Sequence, residues 1–197
     1  ITSTIAIAVD DANSDDDFDS VADQTVSVDT LDDDVAGFTI EETDESTEVD
    51  ESGSTDTFTV VLDAQPTSDV VLTITSESTT EASVNPSSVT FTSENWDTPQ
   101  TVTVTGVDEN VVDGDQTTNI TIAILDTASD DNFDDLVDQT VSVDTLDDDV
   151  AGFTIEETDA ATEVDESGTT DTFTVVLDAQ PTSDVVLTIT SDDTGEA

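Results

Sequence analysis

Apolar and polar residues alternate along this chain in short, regular runs. FTI at Phe38–Ile40, TFTVVL at Thr57–Leu62, VVLTIT at Val70–Thr75 and VTFT at Val89–Thr92 repeat every second residue. So do TVTVTGV at Thr101–Val107, ITIAIL at Ile120–Leu125 and TVSV at Thr140–Val143. A period of two is that of a strand with one face in a core and the other in water. ESG, AQPTSD, VNPSS, DTP and DGD punctuate the runs with turn-forming residues, and no helical period competes. Val, Ile, Thr and Phe suit a pleated, half-buried surface. Phe38, Phe58, Phe91 and Trp96 supply the bulk of the expected core. Seven such strands in one stretch predict an all-β fold, an immunoglobulin-like seven-stranded β-sandwich.

The pattern recurs. VSVDTLDDDVAG occurs at Val26–Gly37 and at Val141–Gly152, so Asp32 aligns with Asp147 at an offset of 147 − 32 = 115. The same offset carries GFTIEETD from Gly37 to Gly152 and DTFTVVLDAQPTSDVVLTITS from Asp56 to Asp171, with no insertion or deletion. A period of this length is a whole domain rather than a solenoid turn. It divides the chain into the end of one repeat at residues 1–31, a complete repeat at 32–146 and the beginning of another at 147–197. Tandem sandwiches are therefore expected. The absence of methionine, even at position 1, adds the expectation of an internal piece of a longer chain.

Charge narrows the function. The 197 residues include 51 Asp and Glu and no Lys, Arg or His, a formal net charge of −51. Nucleic acid is excluded as a partner because no cationic footprint exists to replace phosphate counterions. Membrane insertion is not expected either, since no run of about 18 apolar residues occurs. Cysteine is absent, which rules out disulfides and thiolate metal sites. Carboxylate pairs abound, yet no His can act as base and no Lys or Arg can steady an oxyanion, so no enzyme is expected.

Strand order gathers the acidic loops. If the first strand runs from an entrance end to an exit end, EVDESG (Glu48–Gly53), SESTTEAS after the third strand and VDENVVDGDQ (Val107–Gln116) all fall at the exit. The last strand delivers Asp147, Asp148 and Asp149 to the same place. Carboxylates crowded without counter-charge raise one another's pKa and oppose folding. A hard divalent cation resolves this, and calcium takes six to eight oxygens with flexible geometry. DTASDDNFDDL (Asp126–Leu136) falls at the entrance, where a solvated loop is favoured over a second, interdomain metal site.

VDESG after the first strand, VDENVVDGD between the fifth and sixth, and the terminal LDDD together resemble the pattern of Calx-β domains. That family is an immunoglobulin-like sandwich found in sodium–calcium exchangers and as tandem arrays in very large bacterial surface proteins. The resemblance implies calcium at the exit end, with Glu51, Asp108, Glu109, Asp113, Asp115, Asp147, Asp148 and Asp149 as ligands. Glu166 and Asp32, Asp33 and Asp34 take the matching roles in the flanking units. Many members carry Asp-Tyr after the third strand. This chain has SESTTEASVNPSS there, leaving Glu77 or Glu81 as a replacement ligand or none.

The function expected on these grounds is structural: a secreted, calcium-stiffened rod of tandem repeats at a cell surface or in an extracellular fibre, partnered by neighbouring repeats. Two alternatives stand beside it. One is a calcium-dependent adhesive module that binds glycans; the other is a filament subunit that polymerises by strand exchange. Asn119-Ile120-Thr121 is the one usable glycosylation sequon. Trp96 is expected in the core or at its rim rather than stacked on a sugar.

Overall fold

A computed structural model describes residues 1–192. Two compact units divide the chain, residues 1–35 and 36–197.

The first unit is a hairpin. Strand β1 (Thr2–Ile7) pairs antiparallel with β2 (Gln24–Asp29), from Thr2 opposite Asp29 to Ile7 opposite Gln24. The hydroxyl of Thr2 donates to Asp29 at 2.7 Å across the open end. Both faces of the hairpin are exposed, including Ile5, Ile7, Val26 and Val28.

The second unit contains the sandwich. Its strands are β3 (Phe38–Glu42), β4 (Thr47–Asp50), β5 (Thr55–Leu62), β6 (Val70–Ser76), β7 (Ala82–Asn85), β8 (Ser88–Phe91), β9 (Gln100–Gly106), the two-residue β10 (Val111–Val112), β11 (Gln116–Ile124) and β12 (Gln139–Leu146). One sheet has the order β3-β5-β9-β7, the other β4-β12-β11-β6-β8. Every pairing within these two sheets is antiparallel except β4 with β12.

Alternation along each strand sorts the side chains. Phe58, Val60 and Leu62 of β5 and Val102 and Val104 of β9 face Val70, Leu72, Ile74, Ile120, Ile122, Val141 and Val143 from the opposite sheet in one continuous core. Phe38 and Phe91 are buried in it, and Trp96 is half-buried against it while its carbonyl accepts from the Leu62 N–H.

All seven strands read from the sequence are present, and the sandwich has two more that the alternation did not reveal. The first, β4, arises because the chain changes sheet after β3. A short 3-10 turn at Thr43–Glu45 makes the switch, with Asp44 at φ 58° and Glu45 at φ 68°. Those left-handed angles break the period that a sequence reading follows. The second, β7, is short and buries only Ala82 among its four residues.

Beyond the sandwich, β13 (Phe153–Glu157) and β14 (Phe173–Leu177) pair with Phe153 opposite Leu177, the register that β3 and β5 adopt from Phe38 opposite Leu62. Here Phe153 and Phe173 are exposed. A last two-residue strand, β15 (Gln180–Pro181), lies parallel to β10.

Candidate metal centre

The exit end of the sandwich is assembled by backbone contacts that bring three loops to one carboxylate. β4 closes in a tight turn: the Ser52 N–H donates to Asp50 Oδ1 at 2.8 Å, the Asp50 N–H to Ser54 Oγ at 2.6 Å, and Gly53 takes φ 95°. The turn keeps Glu51 on the ladder with β12, its N–H donating to the Leu146 carbonyl at 3.1 Å. β9 ends at Gly106, whose position admits no side chain, because a Cβ there would lie 2.1 Å from the Asp50 carbonyl oxygen. The loop 107–115 consequently starts beside Glu51. Its first residue, Val107, donates to the Glu81 carbonyl.

The aspartate run is tied to the same loop. Asp147 accepts from the Gly114 N–H through Oδ2 at 2.7 Å and from the Asp149 N–H through Oδ1 at 2.8 Å. Asp115 accepts from the Asp147 N–H at 3.2 Å.

Two carboxylate groups share Glu51. Oxygens of Glu51, Asp147 and Asp149 lie within 4.8 Å of one another, and so do oxygens of Glu51, Glu109 and Asp113. Ligand oxygens about 2.4 Å from a common calcium ion are separated by at most twice that distance, so both groups have the dimensions of such a site.

Glu51 is the unusual member. Its side chain is 0 % exposed, and neither carboxylate oxygen has a hydrogen-bond partner. Buried polar groups are normally satisfied, and an unpaired buried carboxylate costs several kcal/mol. Burial, then the charges of Asp147, Glu109, Asp113 and Glu81, push its pKa up from 4.5 to about 7. Glu109 and Asp149 are raised too, each chiefly by burial and then by neighbouring acids. Asp149 Oδ2 and Glu81 Oε2 are likewise buried without partners. With all-oxygen donors, no nitrogen or sulfur ligand and an orphaned buried carboxylate at the centre, these residues fit a hard divalent cation.

The other expected ligands are placed differently. Asp108 is exposed but close enough to raise Asp149. Asp115 serves as an acceptor for the backbone of Asp147, and Asp148 is exposed; neither belongs to the two groups. Glu77 accepts from the side chain of Asn119 at 3.0 Å, so the sequon residue and this acid satisfy each other on the sheet. Glu81 lies with the cluster instead. Asp32, Asp33 and Asp34 are exposed in the first unit, where the Asp34 N–H donates to Asp32 in the same local turn that Asp149 makes with Asp147. Glu166 is exposed at the tip of its own turn.

At the entrance end the expectation of a solvated loop needs correction. Asp130 is 3 % exposed and accepts five hydrogen bonds, from the N–H and hydroxyl of Thr67, the N–H of Ser68, and the N–H and side-chain amide of Asn132. These bonds, led by the Thr67 hydroxyl, hold its carboxyl well below the usual carboxylate range. Phe133 beside it enters the core at 2 % exposure. This loop is a clamp on the turn at residues 63–69 rather than loose surface. The Asp-x-Asn spacing was its one sequence signal.

No family model and no curated protein matches the chain. Solved structures resemble it at low identity. The surface layer protein SbsC, domains 1–6, is 17% identical over 90% of this chain and 25% of its own, with a TM-score of 0.45. Domains 4 and 5 of the same S-layer protein are 25% identical over 62% of this chain and 59% of theirs, with a TM-score of 0.38. SSP-19, an MSP-domain protein like family member in Caenorhabditis elegans, is 15% identical over 52% of this chain and 92% of its own, with a TM-score of 0.34. Among the described residues no helix is long and apolar enough to cross a membrane.

Proposed function

We propose that this chain is a structural segment of an extracellular or cell-surface protein, built of tandem Calx-β-like sandwiches stiffened by calcium at their exit ends. The observation that carries the reading is Glu51, a fully buried carboxylate with both oxygens unpartnered where two acidic groups meet. Bound there, calcium would supply the positive charge that a chain without Lys, Arg or His lacks. Glu51 would bridge, Asp147 and Asp149 would hold one side, and Glu109 and Asp113 the other. Neutralisation of that end would fix loop 107–115 and the linker after Leu146, turning a jointed chain into a rod. Millimolar extracellular calcium matches the affinities of about 10⁻⁴–10⁻³ M usual for extracellular modules. Repetition of whole segments at an offset of 147 − 32 = 115 residues suits a spacer, in which each unit does the same work.

Calorimetric titration with calcium, with melting and light scattering in calcium and in chelator, tests the reading. Heat of binding, a higher melting temperature and a narrower spread of hydrodynamic size in calcium are expected. Unchanged melting and size would remove the mechanism.

Strand exchange, the second reading, rests on one observation that a continuing chain explains equally. Phe153 and Phe173 are exposed although the matching Phe38 and Phe58 are buried. A covering sheet, supplied by the continuing chain or by another copy, would bury them. Denaturing mass measurement of the native assembly separates the two sources: one long chain against a ladder dissolved into units of fixed length.

A further inference from the structure

Glu109 and Asp113, the two acids that loop 107–115 contributes to the cation groups, bracket a pair of residues with a different occupation. Between them Val111 and Val112 form β10, which pairs in parallel with Gln180–Pro181 of β15. The Gln180 N–H donates to the carbonyl of Asn110, extending the ladder by one bond toward Glu109. Val112 also lines an apolar cavity with Ala151, Phe153, Leu177, Pro181 and Val185, all from beyond the sandwich. One nine-residue loop thus faces the buried Glu51 with its acids and holds the returning chain with its valines.

The loop has few other anchors. Its backbone is fixed at the ends by the Val107 bond to Glu81, the Gly114 bond to Asp147 and the Gln116 side-chain amide, which donates to the Asp113 and Gly114 carbonyls, with Gly114 at φ 77°. Between those points Glu109 and Asp113 meet Glu51 across a gap that no hydrogen bond fills. Four acids gathered at Glu51 repel one another when no cation is bound, and two of them, Glu109 and Asp113, are carried by the loop. A backbone displacement at Glu109 or Asp113 shifts Val111 and Val112 with it, because one or two peptide units separate the pairs.

We infer that loop 107–115 couples cation binding to the seating of the following repeat, with Val111–Val112 as the dock and Gln180–Pro181 as its occupant. The inference rests on the calcium reading and adds the element through which the ion would stiffen the junction. The dock belongs to the repeating pattern: Gln65–Pro66 are the counterparts of Gln180–Pro181, and the Asp130 clamp on Thr67 and Ser68 holds that turn in shape. Each repeat would then offer a dock at its exit and a preformed occupant at its entrance.

The chain has no cysteine, so a disulfide trap reads the dock cleanly. The full 197-residue chain carrying Val112→Cys and Pro181→Cys places the pair at register positions that a disulfide spans, and Thr59→Cys with Thr101→Cys provides a control pair inside the sandwich. With millimolar calcium the 112–181 bond is expected to form about tenfold faster than in chelator, a usual size for such coupling, while the control pair is unaffected. By linkage, the oxidised 112–181 variant should bind calcium about tenfold more tightly than the reduced one. Glu109→Gln in the same background should erase the calcium dependence. If calcium binds and the cross-linking rate and affinity do not respond, the coupling is wrong and the ion reading stands. If calorimetry detects no calcium binding, the ion reading and the coupling fall together.

Discussion

Glu51 and Glu166 occupy the same position in identical EVDESG turns, yet Glu51 is fully buried and Glu166 is exposed. The turns themselves share their main bonds. Asp50 and Asp165 each accept from the N–H two residues on at 2.8 Å, Glu48 and Glu163 each donate to an aspartate eight residues on, and Gly53 and Gly168 take φ 95° and 92°. Local sequence dictates the turn, while burial comes from loop 107–115 and the aspartate run, which among the described residues gather at Glu51 and not at Glu166. Glu51→Gln removes a buried charge and keeps the shape. In chelator this variant should be more stable than the parent by roughly 1–3 kcal/mol near pH 8. It should also lose most of the stabilisation that calcium gives. Urea melts of both proteins with and without calcium check the pair of effects, and a destabilised variant in chelator would contradict the account.

The raised pKa of Glu51 makes the ion-free protein respond to pH in a stated direction. Its folded pKa of about 7 lies above the ordinary value of 4.5, so the folded state binds the proton more readily than the unfolded chain. The stabilisation is full below the ordinary value and is lost as pH rises through about 7. In chelator the melting temperature should therefore climb as pH falls from about 8 toward 5. Glu109 and Asp149, shifted the same way, act in the same sense. Calcium competes with the proton for Glu51, so its affinity should weaken below about pH 7. Glu51→Gln should flatten the chelator profile between about pH 5 and 7 relative to the parent, and equal slopes would exclude Glu51 as the source.

Alternation made the sandwich legible because each strand buries one face, and strand order alone was enough to gather Glu51, loop 107–115 and the aspartate run at one end. Three features were beyond that reading for physical reasons. The switch of sheet after β3 depends on left-handed Asp44 and Glu45, residue types that seldom announce such a conformation. The burial of Asp130 depends on donors from Thr67 and Ser68, more than sixty residues away in sequence. Which acids share an ion-sized space is set by side-chain reach: Asp148 points to solvent between Asp147 and Asp149, which the turn directs inward.

Asp130 provides a contrast with Glu51, as a buried acid whose bonds are all made. Asp130→Ala strands the donors of Thr67, Ser68 and Asn132 and should cost roughly 2–4 kcal/mol. Its lowered pKa means this contribution is present above the ordinary carboxylate value and is lost only as pH falls into strong acid. The penalty should therefore be constant between about pH 5 and 8, where the Glu51 effect varies. Denaturant melts across that range, with calcium titration alongside, distinguish the two ends; the calcium midpoint should not move.

Gly106 precedes the cation loop and Gly114 lies near its far end, and the two should fail differently when substituted. At Gly106 a methyl group would overlap the Asp50 carbonyl, a backbone atom that cannot swing aside. Gly106→Ala must push β9 away from the β4 turn and should cost about 3 kcal/mol or more, disturbing Glu51 with it. Gly114 has open space around its Cβ direction, and its constraint is φ 77°. Gly114→Ala should cost only about 1 kcal/mol through that left-handed angle. Ala keeps the N–H that orients Asp147, but relaxing the left-handed angle would re-aim it, so the Gly114→Ala variant should keep a folded core yet bind calcium more weakly. Melting in chelator ranks the stability costs, and calorimetry on Gly114→Ala isolates the site. Unchanged calcium affinity there would show that the Gly114 bond to Asp147 does not hold the cation groups in place.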